Sequence, residues 1–183
     1  MHVEETKLDG VKLVTPKKFG DERGWFAEMY NAERLAGAGL PLHFVQDNQS
    51  FSRKGVLRGL HYQVGRPQGK LVRAVSGQVF DVAVDIRQNS ASFGQWFGCV
   101  LSAETANMLW IPVGFAHGFL VLSDTAEVLY KTTDYYFPEG ERAIRWDDAE
   151  LGIAWPLDEI KPLQPTVSGK DAAALTFSAA EKF

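Results

Sequence analysis

The stretch Val79-Phe80-Asp81-Val82-Ala83-Val84-Asp85 decides the fold class of this chain. Its apolar and polar residues alternate with a period of two, and valine recurs along it, as is typical of a β-strand with one face in a core. With Gln78 it forms a β-prone run that begins directly after the turn pair Ser76-Gly77. A chain organised around such segments belongs to a β-rich class.

Similar runs occupy much of the remaining chain, and turn chemistry such as Pro112-Val113-Gly114 and Pro138-Glu139-Gly140 separates them. Many short strands with almost no helical periodicity between them predict an all-β antiparallel sandwich or jelly roll. The runs that we interpret as strands are Val11–Thr15, Trp25–Tyr30, Phe44–Ser50, Val56–Tyr62, Lys70–Val75, Gln78–Asp85, Gln95–Leu101, Met108–Ile111, Phe119–Leu122, Glu127–Thr133 and Ala143–Trp146.

Two segments favour short helices. Asn31–Ala38 predicts one near the N-terminal third of the chain. Asp171–Glu181 predicts another at the C-terminus, with Ser168 or Asp171 as its cap and an alanine-rich body. Neither is long enough to set the fold. Because no repeat, low-complexity tract or linker divides the chain, the simplest interpretation is one domain over residues 1–183.

The composition excludes several classes of protein. The 183 residues carry 19 basic and 23 acidic side chains, and 45% of them are hydrophobic, which excludes a disordered chain or a coiled coil. The mildly acidic balance argues against nucleic acid as a partner, since that needs clustered lysines and arginines. The single cysteine, Cys99, cannot form an internal disulfide.

The sequence also predicts a protein that does not enter a membrane. No uninterrupted apolar run approaches the roughly 18 residues that a membrane span requires. The first residues, Met1–Gly10, are charged and lack the apolar stretch of a signal peptide. We therefore expect a cytoplasmic location.

Two of the four histidines stand in patterned surroundings, His61 in Gly55-Val56-Leu57-Arg58-Gly59-Leu60-His61-Tyr62-Gln63 and His117 in Pro112-Val113-Gly114-Phe115-Ala116-His117-Gly118-Phe119. The spacings Gly-x5-His-x-Gln and Pro-x-Gly-x2-His resemble the two motifs of the cupin jelly rolls. Metal-binding cupins have a second histidine where Gln63 stands and a glutamate near the position of Gln68 and Lys70. Because a metal site needs about three protein ligands, we expect no metal here. The plainer interpretation makes both histidines core residues with satisfied hydrogen bonds.

Three side chains could then act as acids and bases without a metal. Imidazole has an ordinary pKa suited to proton transfer near neutral pH, which makes His61 the candidate base. An inward Lys70 would stabilise a developing oxyanion, and Tyr130 could supply a proton. Together these groups fit proton abstraction next to a carbonyl. The competing interpretations are a surface lysine, a core tyrosine and, for Asp171, a helix cap.

Two arginines are candidates for binding an anion, because the guanidinium fork suits phosphate oxygens. Arg23 lies in Asp21-Glu22-Arg23-Gly24. Arg58 precedes His61 by three residues, so a regular strand places Leu57, Gly59, His61 and Gln63 on one face and Arg58 on the other. A bulge at Gly59 would bring Arg58 back to the face of His61. The competing interpretation of either arginine is a surface ion pair.

Taken together, the motifs resemble one family. The chain is similar to the dTDP-4-dehydrorhamnose 3,5-epimerases over nearly its whole length. The motifs that carry the resemblance are Asp21-Glu22-Arg23-Gly24, Gln46-Asp47-Asn48-Gln49-Ser50, Gly55 to Gln63, Gln68-Gly69-Lys70-Leu71-Val72-Arg73, Gly77-x-Val79-Phe80-Asp81-Val82, Trp110-Ile111-Pro112-x-Gly114-Phe115-Ala116-His117-Gly118-Phe119, Tyr130-Lys131-x-Thr133 and Ser168-Gly169-Lys170-Asp171-Ala172.

The resemblance implies a homodimeric cupin-type sandwich that uses no metal or other cofactor. It implies conversion of dTDP-4-dehydro-6-deoxy-D-glucose to dTDP-4-dehydro-L-rhamnose, a step towards dTDP-L-rhamnose for cell-surface polysaccharide. The ketone at C4 of this sugar acidifies the hydrogens at C3 and C5, so one base could serve both carbons. Three alternatives remain: epimerisation of a single carbon of another dTDP-4-keto sugar, a metal-dependent cupin oxygenase, and a non-catalytic sugar-binding cupin.

The resemblance also assigns roles residue by residue. His61 matches the base, Asp171 its carboxylate partner, Lys70 the group beside the sugar carbonyl and Tyr130 the acid. The positions that match the lining of the nucleotide-sugar site are Arg23, Glu28, Gln46, Asn48, Arg58, His117, Glu141 and Lys170.

Overall fold

The computed structural model describes residues 1–40 and 43–183. The strands of these ranges are β1 (His2–Glu5), β2 (Lys12–Thr15), β3 (Lys18–Asp21), β4 (Gly24–Ala27), β5 (Gln46–Arg53), β6 (Leu57–Gln63), β7 (Lys70–Ser76), β8 (Gln78–Asp85), β9 (Trp96–Ser102), β10 (Met108–Ile111), β11 (Phe115–Val121), β12 (Thr125–Thr132) and β13 (Glu141–Ala143). The helices are α1 (Ala32–Gly37) and α2 (Gly169–Ala172), with 3-10 turns at Pro138–Gly140 and Leu157–Ile160. Within the described ranges, no helix has the length and apolar character needed to cross a membrane.

Two antiparallel sheets form a sandwich. The larger sheet has the order β1-β2-β10-β7-β12-β5, and the smaller has the order β13-β6-β11-β8-β9. Strands β3 and β4 pair only with each other, as a separate hairpin. Most spatial neighbours are distant in sequence, as in a jelly roll. The architecture confirms the predicted all-β sandwich with two short helices.

The core between the sheets is built from alternate residues of the strands, because successive side chains point to opposite faces. The larger sheet contributes Val72 and Val128, and the smaller contributes Ala83 and Phe119. The stretch Val79–Asp85 therefore has one face in this inner core, as its alternation predicts. Towards the end of the sheets occupied by His61, His117 and Lys70, polar side chains replace the apolar ones.

Parts of both outer faces are covered as well. The C-terminal part of the chain lies against the smaller sheet, where Trp155, Ile160 and Phe177 pack with Leu60 and Val84. On the larger sheet, Leu35 of α1 packs in one cluster with Leu71 and Trp110. The C-terminal part of the chain and α1 therefore each cover part of one outer face.

Most predicted strands lie close to the observed ones, and Gln78–Asp85 and Met108–Ile111 have the predicted bounds. The expected strand Phe119–Leu122 covers only the end of β11, which begins at Phe115. The expected strand Trp25–Tyr30 ends at Ala27, and the expected strand Ala143–Trp146 is replaced by β13, which begins at Glu141. Strands β1 and β3 were not predicted. Both are short, exposed and rich in charge, and they form only through pairing with a neighbour.

The predicted C-terminal helix over Asp171–Glu181 is wrong in most of its length. Ser168 caps a single turn, and the helix ends at Ala172. Beyond it, Leu175 forms a bridge with Ile144, and Phe177 is buried in the outer core. A short alanine-rich segment gains little from helix formation alone, so the tertiary contacts of Leu175 and Phe177 decide its conformation.

Candidate active site

A pocket of about 240 Å³ opens between the two sheets at their polar end. Its lining combines basic, aromatic and hydroxyl side chains drawn from both sheets. The lining residues are Ser50, Arg58, His61, Lys70, His117, Gly118, Phe119 and Tyr130. Strands β6 and β11 supply one wall, and β5, β7 and β12 supply the other. The sandwich thus places the candidate base and the candidate acid on facing sheets.

A bulge in β6 brings Arg58 into this pocket. His61 lies opposite His117, yet Arg58, three residues before His61, lies opposite Phe119, only two residues after His117. The extra residue returns Arg58 to the face of His61 and moves Leu57 to the outer core, so the expectation that Leu57 shares the face of His61 is wrong. Gly59 has φ +127°, and a Cβ there would lie 2.5 Å from the Gly118 Cα, so this bulge requires glycine.

His61 and Asp171 form a hydrogen-bonded pair. The distance from His61 Nε2 to Asp171 Oδ1 is 2.6 Å, with the imidazole 40% exposed and the carboxylate 4% exposed. The Ser168 hydroxyl accepts the Asp171 N–H and so caps α2. Burial alone would raise the pKa of Asp171, but the hydrogen bond and charge of His61 outweigh it and lower the pKa. Asp171 therefore stays a carboxylate that orients the ring of His61.

Lys70 faces inward at the start of β7, level with Thr132 of β12. Its ammonium donates a long hydrogen bond of 3.4 Å to the His61 carbonyl. Burial lowers the pKa of Lys70 to about 8, and the Asp81 carboxylate opposes part of that shift. The ammonium is therefore the main form below about pH 8 and is lost as the pH rises through that value. The alternative of a surface lysine is wrong.

Tyr130 faces Lys70 and His61 from β12. It lies opposite Val72 of β7 and Asn48 of β5, on the inner face of the larger sheet. Burial raises the pKa of Tyr130, and the nearby Arg58 only partly opposes this. The hydroxyl therefore keeps its proton at neutral pH, which suits a proton donor.

His117 is buried beside a second carboxylate. Its Nε2 lies 2.9 Å from Oδ2 of Asp81, and both side chains lie within the smaller sheet on its inner face. This ring therefore lines the pocket in a fixed orientation, as His61 does. His117 is therefore a buried histidine with a hydrogen-bond partner, and it also lines the pocket.

A polar rim lies beside the pocket. Gln46 donates to Asn48 Oδ1 over 2.9 Å, so the two alternate residues share the inner face of β5 as expected. Glu141 accepts the Tyr136 hydroxyl and the Lys170 ammonium, each over 3.2 Å. Because Glu141 lies opposite Gln63 and Lys170 precedes Asp171, this rim stands next to the His61 pair.

Arg23 and Glu28 lie outside the pocket of their own chain. Arg23 is at the turn of the β3–β4 hairpin, where it pairs with Asp21 over 2.5 Å and its side chain is 84% exposed. Glu28 pairs with Arg34 over 3.1 Å. The single chain therefore does not bring these two expected substrate ligands together with the other site residues.

The amide of Gln63 is already engaged, which bears on the fit of a cupin metal. Its Oε1 accepts the Phe137 N–H over 2.9 Å, and its Nε2 donates to the Tyr135 carbonyl over 3.0 Å. Over residues 1–40 and 43–183, no group of three His, Cys, Asp or Glu side chains is arranged to hold a metal ion. The residues present do not fit the metal set of the cupin motif.

Another surface depression, of about 740 Å³, is larger than the active-site candidate but poorer in free chemical groups. Its Arg87 is bound by Asp85, which also accepts the hydroxyls of Ser90 and Ser92. Burial of Asp85 is outweighed by these hydrogen bonds, which lower its pKa to about 2. The groups serve to fix a loop.

Three polar residues of the site were not selected from the sequence. Ser50 lines the pocket, Asp81 holds His117, and Tyr136 joins the rim. The alternation of Gln46 and Asn48 extends to Ser50, and a charge at an inward position of an apolar strand marks Asp81, so both carried a signal. Tyr136 carried none, because its place depends on the loop held by Gln63.

Known proteins are similar to this chain in sequence and fold. Residues 5–179 match the family model for dTDP-4-dehydrorhamnose 3,5-epimerase. The dTDP-4-dehydrorhamnose 3,5-epimerase of Pseudomonas aeruginosa is 53% identical over 184 residues, which cover 100% of this chain and 99% of that relative. The enzyme of that description from Salmonella typhimurium is 54% identical over 176 residues, or 95% and 94% of the two chains.

A solved structure is similar to this chain in both sequence and fold. The crystal structure of a dTDP-6-deoxy-D-glucose-3,5-epimerase from Legionella pneumophila, in complex with dTDP-4-keto-L-rhamnose, is 51% identical. It superposes with a TM-score of 0.92 over 97% of this chain and 93% of that one. With its cupin-type sandwich and full-length similarity, the chain belongs to the dTDP-4-dehydrorhamnose 3,5-epimerase family.

Proposed function

We propose that this epimerase inverts both C3 and C5 of dTDP-4-dehydro-6-deoxy-D-glucose and so forms dTDP-4-dehydro-L-rhamnose for rhamnose biosynthesis. The observation that carries the proposal is that His61 and Tyr130 project into one pocket from facing sheets. Inversion requires a proton to leave one face of a carbon and another to reach the opposite face. A base and an acid on opposite walls supply both.

The reaction begins with proton transfer to His61. The imidazole takes the proton from the carbon next to the C4 ketone. The electron pair of the C–H bond forms a C=C bond to C4, and the π pair of the C=O bond moves to the oxygen, which gives an enolate. Asp171 stabilises the imidazolium that forms, through the 2.6 Å contact. The buried ammonium of Lys70 stabilises the enolate oxygen.

The second proton comes from Tyr130. Its hydroxyl donates to the opposite face of the carbon as the ketone re-forms, which inverts the centre. The phenolate then recovers a proton from solvent, and His61 releases its own, so the protein returns to its starting state. A turn of the sugar or a change of ring shape presents the second carbon to the same pair of groups.

The remaining polar groups bind the substrate. Arg58 is held by the Ser52 hydroxyl over 3.1 Å, so its guanidinium is pre-positioned for a phosphate or sugar oxygen. Lys170 supplies a second positive charge at the rim, next to Glu141. Gln46 and Asn48 offer amides, and His117 offers a fixed ring.

The test is incubation with dTDP-4-dehydro-6-deoxy-D-glucose in deuterium oxide after exhaustive chelation, followed by nuclear magnetic resonance of the sugar. We expect deuterium at both C3 and C5 and the doubly inverted product. Label at one carbon alone would identify a single-carbon epimerase. Absence of label would identify a non-catalytic binding protein, and activity that depends on one added metal would contradict the metal-free mechanism.

We also propose that the protein is a homodimer in which each β3–β4 hairpin completes the pocket of the other chain. The support is that Arg23, paired with Asp21, lies outside the pocket of its own chain, while the hairpin exposes large aromatic rings. In the hairpin, Trp25 is 57% exposed and Phe26 is 69% exposed, and Phe19 is exposed as well. Phe51 of β5 is also exposed. Such an apolar patch favours a protein interface, and a second copy would bury it while delivering Arg23 to the substrate.

Mixing two inactive variants tests this arrangement. Arg23→Ala and His61→Ala chains are each assayed alone at substrate below the KM, then co-refolded in equal amounts. In mixed dimers one of the two pockets has both intact groups, so about a quarter of wild-type activity should return. A monomer by analytical ultracentrifugation, or no recovery in proven mixed dimers, would overturn the proposal.

A further inference from the structure

Asp81 is a buried carboxylate that the mechanism above does not use. It lies in β8 on the inner face of the smaller sheet and is fully buried. Its Oδ2 accepts the Nε2–H of His117, but its buried Oδ1 has no hydrogen-bond partner in the described part of the chain. Since buried carboxylates are rarely left half-satisfied, the free oxygen points to an electrostatic role.

The ammonium of Lys70 is short of hydrogen-bond acceptors, as Asp81 is short of a donor. It is buried on the facing sheet, and among the described residues its hydrogen bond is the 3.4 Å contact to the His61 carbonyl. The negative charge of Asp81 raises the pKa of Lys70 and so opposes part of the effect of burial. A buried ammonium needs a counter-charge, because burial otherwise favours its neutral form.

We propose that Asp81 is a positioning residue that acts through two members of the site. One carboxylate oxygen fixes the ring of His117, and the negative charge balances the ammonium of Lys70. The inference rests on the proposed function, in which Lys70 must carry a proton to stabilise the enolate. Asp81 itself touches neither the sugar nor the reacting atoms.

Other charged groups face Lys70 and set the limits of the effect. The described strands β5 and β10 present only uncharged side chains to the inner space. The titratable and charged groups that share the pocket with Lys70 are Arg58 and His61 of β6, His117 of β11 and Tyr130 of β12, with Asp171 of α2 behind His61. Asp81 is thus the carboxylate that Lys70 feels directly.

A titration that does not depend on activity tests the charge balance. Protein labelled with 13C-lysine is titrated by nuclear magnetic resonance, and the Lys70 Cε signal is assigned by its loss in Lys70→Met. In Asp81→Asn we expect the pKa of Lys70 to fall by about one unit or more from its value near 8. Asp85→Asn is the matched control, because it removes another fully buried carboxylate of β8 that pairs instead with Arg87.

The kinetic arm links the charge to the reaction. The alkaline limb of kcat/KM should move to lower pH in Asp81→Asn by the amount that the Lys70 pKa falls, and should stay in place in Asp85→Asn. An unmoved Lys70 titration in Asp81→Asn that still exchanges deuterium overturns this inference and leaves the proposed function intact. If the Lys70 pKa falls in Asp81→Asn but the wild-type protein catalyses no exchange, the charge balance is supported and the proposed function is overturned.

A double variant covers the case in which Asp81→Asn alone does not fold. The combination of Asp81→Asn with Lys70→Met removes both charges at once. If the two charges balance each other, removing Lys70 as well should restore folding, so the double variant should unfold at a higher urea concentration than Asp81→Asn does. A double variant that is no more stable than Asp81→Asn would overturn the inference.

Discussion

His61→Ala should abolish deuterium exchange at C3 and at C5 together, with a loss of about a thousandfold or more. The reason is that the imidazole is the base for both carbons. Asp171, 2.6 Å from the ring, is buried and does not line the pocket, so it cannot replace the base. The measurement is nuclear magnetic resonance of the sugar in deuterium oxide, combined with calorimetry of nucleotide binding, which should be retained.

The control for this change is His43→Ala, which removes an exposed imidazole away from the pocket and should leave exchange at the wild-type rate. Asp171→Asn should lower the rate in the same direction as His61→Ala, because it removes the charge that stabilises the imidazolium. The assignment of His61 fails if His61→Ala still exchanges C5 at close to the parent rate.

Tyr130→Phe should separate exchange from inversion. The change keeps the buried ring on β12 and deletes only the hydroxyl, whose raised pKa keeps it protonated at neutral pH. His61 can still remove and return a proton on its own face, so deuterium washes in without inversion. Formation of the doubly inverted sugar should fall by about a hundredfold.

Tyr62→Phe provides the matched control for that prediction. It deletes another buried hydroxyl, one that donates to the Glu181 carbonyl on the outer face of the smaller sheet. This variant should lose stability and keep the ratio of exchange to inversion. An equal loss of exchange and inversion in Tyr130→Phe would count against a donor role, and an unchanged yield of inverted sugar would eliminate it.

Much of the fold follows from local patterns. The alternation in Val79–Asp85 reports a strand with one face inward, and the structure places that face in the core between the sheets. Gly59 signalled a bulge because a glycine in a strand permits a backbone that other residues rarely adopt, and the bulge is present. Strand β3 and the end of the Asp171–Glu181 segment were misjudged, since their conformation depends on partners rather than on their own residues.

The candidate site divides in the same way. The chemical types at His61, Lys70 and Tyr130 were readable from the sequence, because acid–base chemistry needs titratable groups in inward positions of strands. The sequence alone does not show that Asp171 contacts a residue 110 positions earlier, or that Asp81 serves a buried ring on another strand. Those contacts arise when the sheets and α2 pack.

The β-rich class, the motifs of the family and the residues able to move protons are readable from the chain alone, since periodicity and side-chain chemistry are local properties. Which of these residues meet depends on how the sheets pack. The tertiary structure put Arg58 in the pocket through one extra residue in β6 and left Arg23 on an exposed hairpin. It also buried Lys70 in one sheet and Asp81 in the facing one. The physical reason is that distance, burial and the resulting shift in pKa depend on neighbours brought together by packing, which no local pattern encodes.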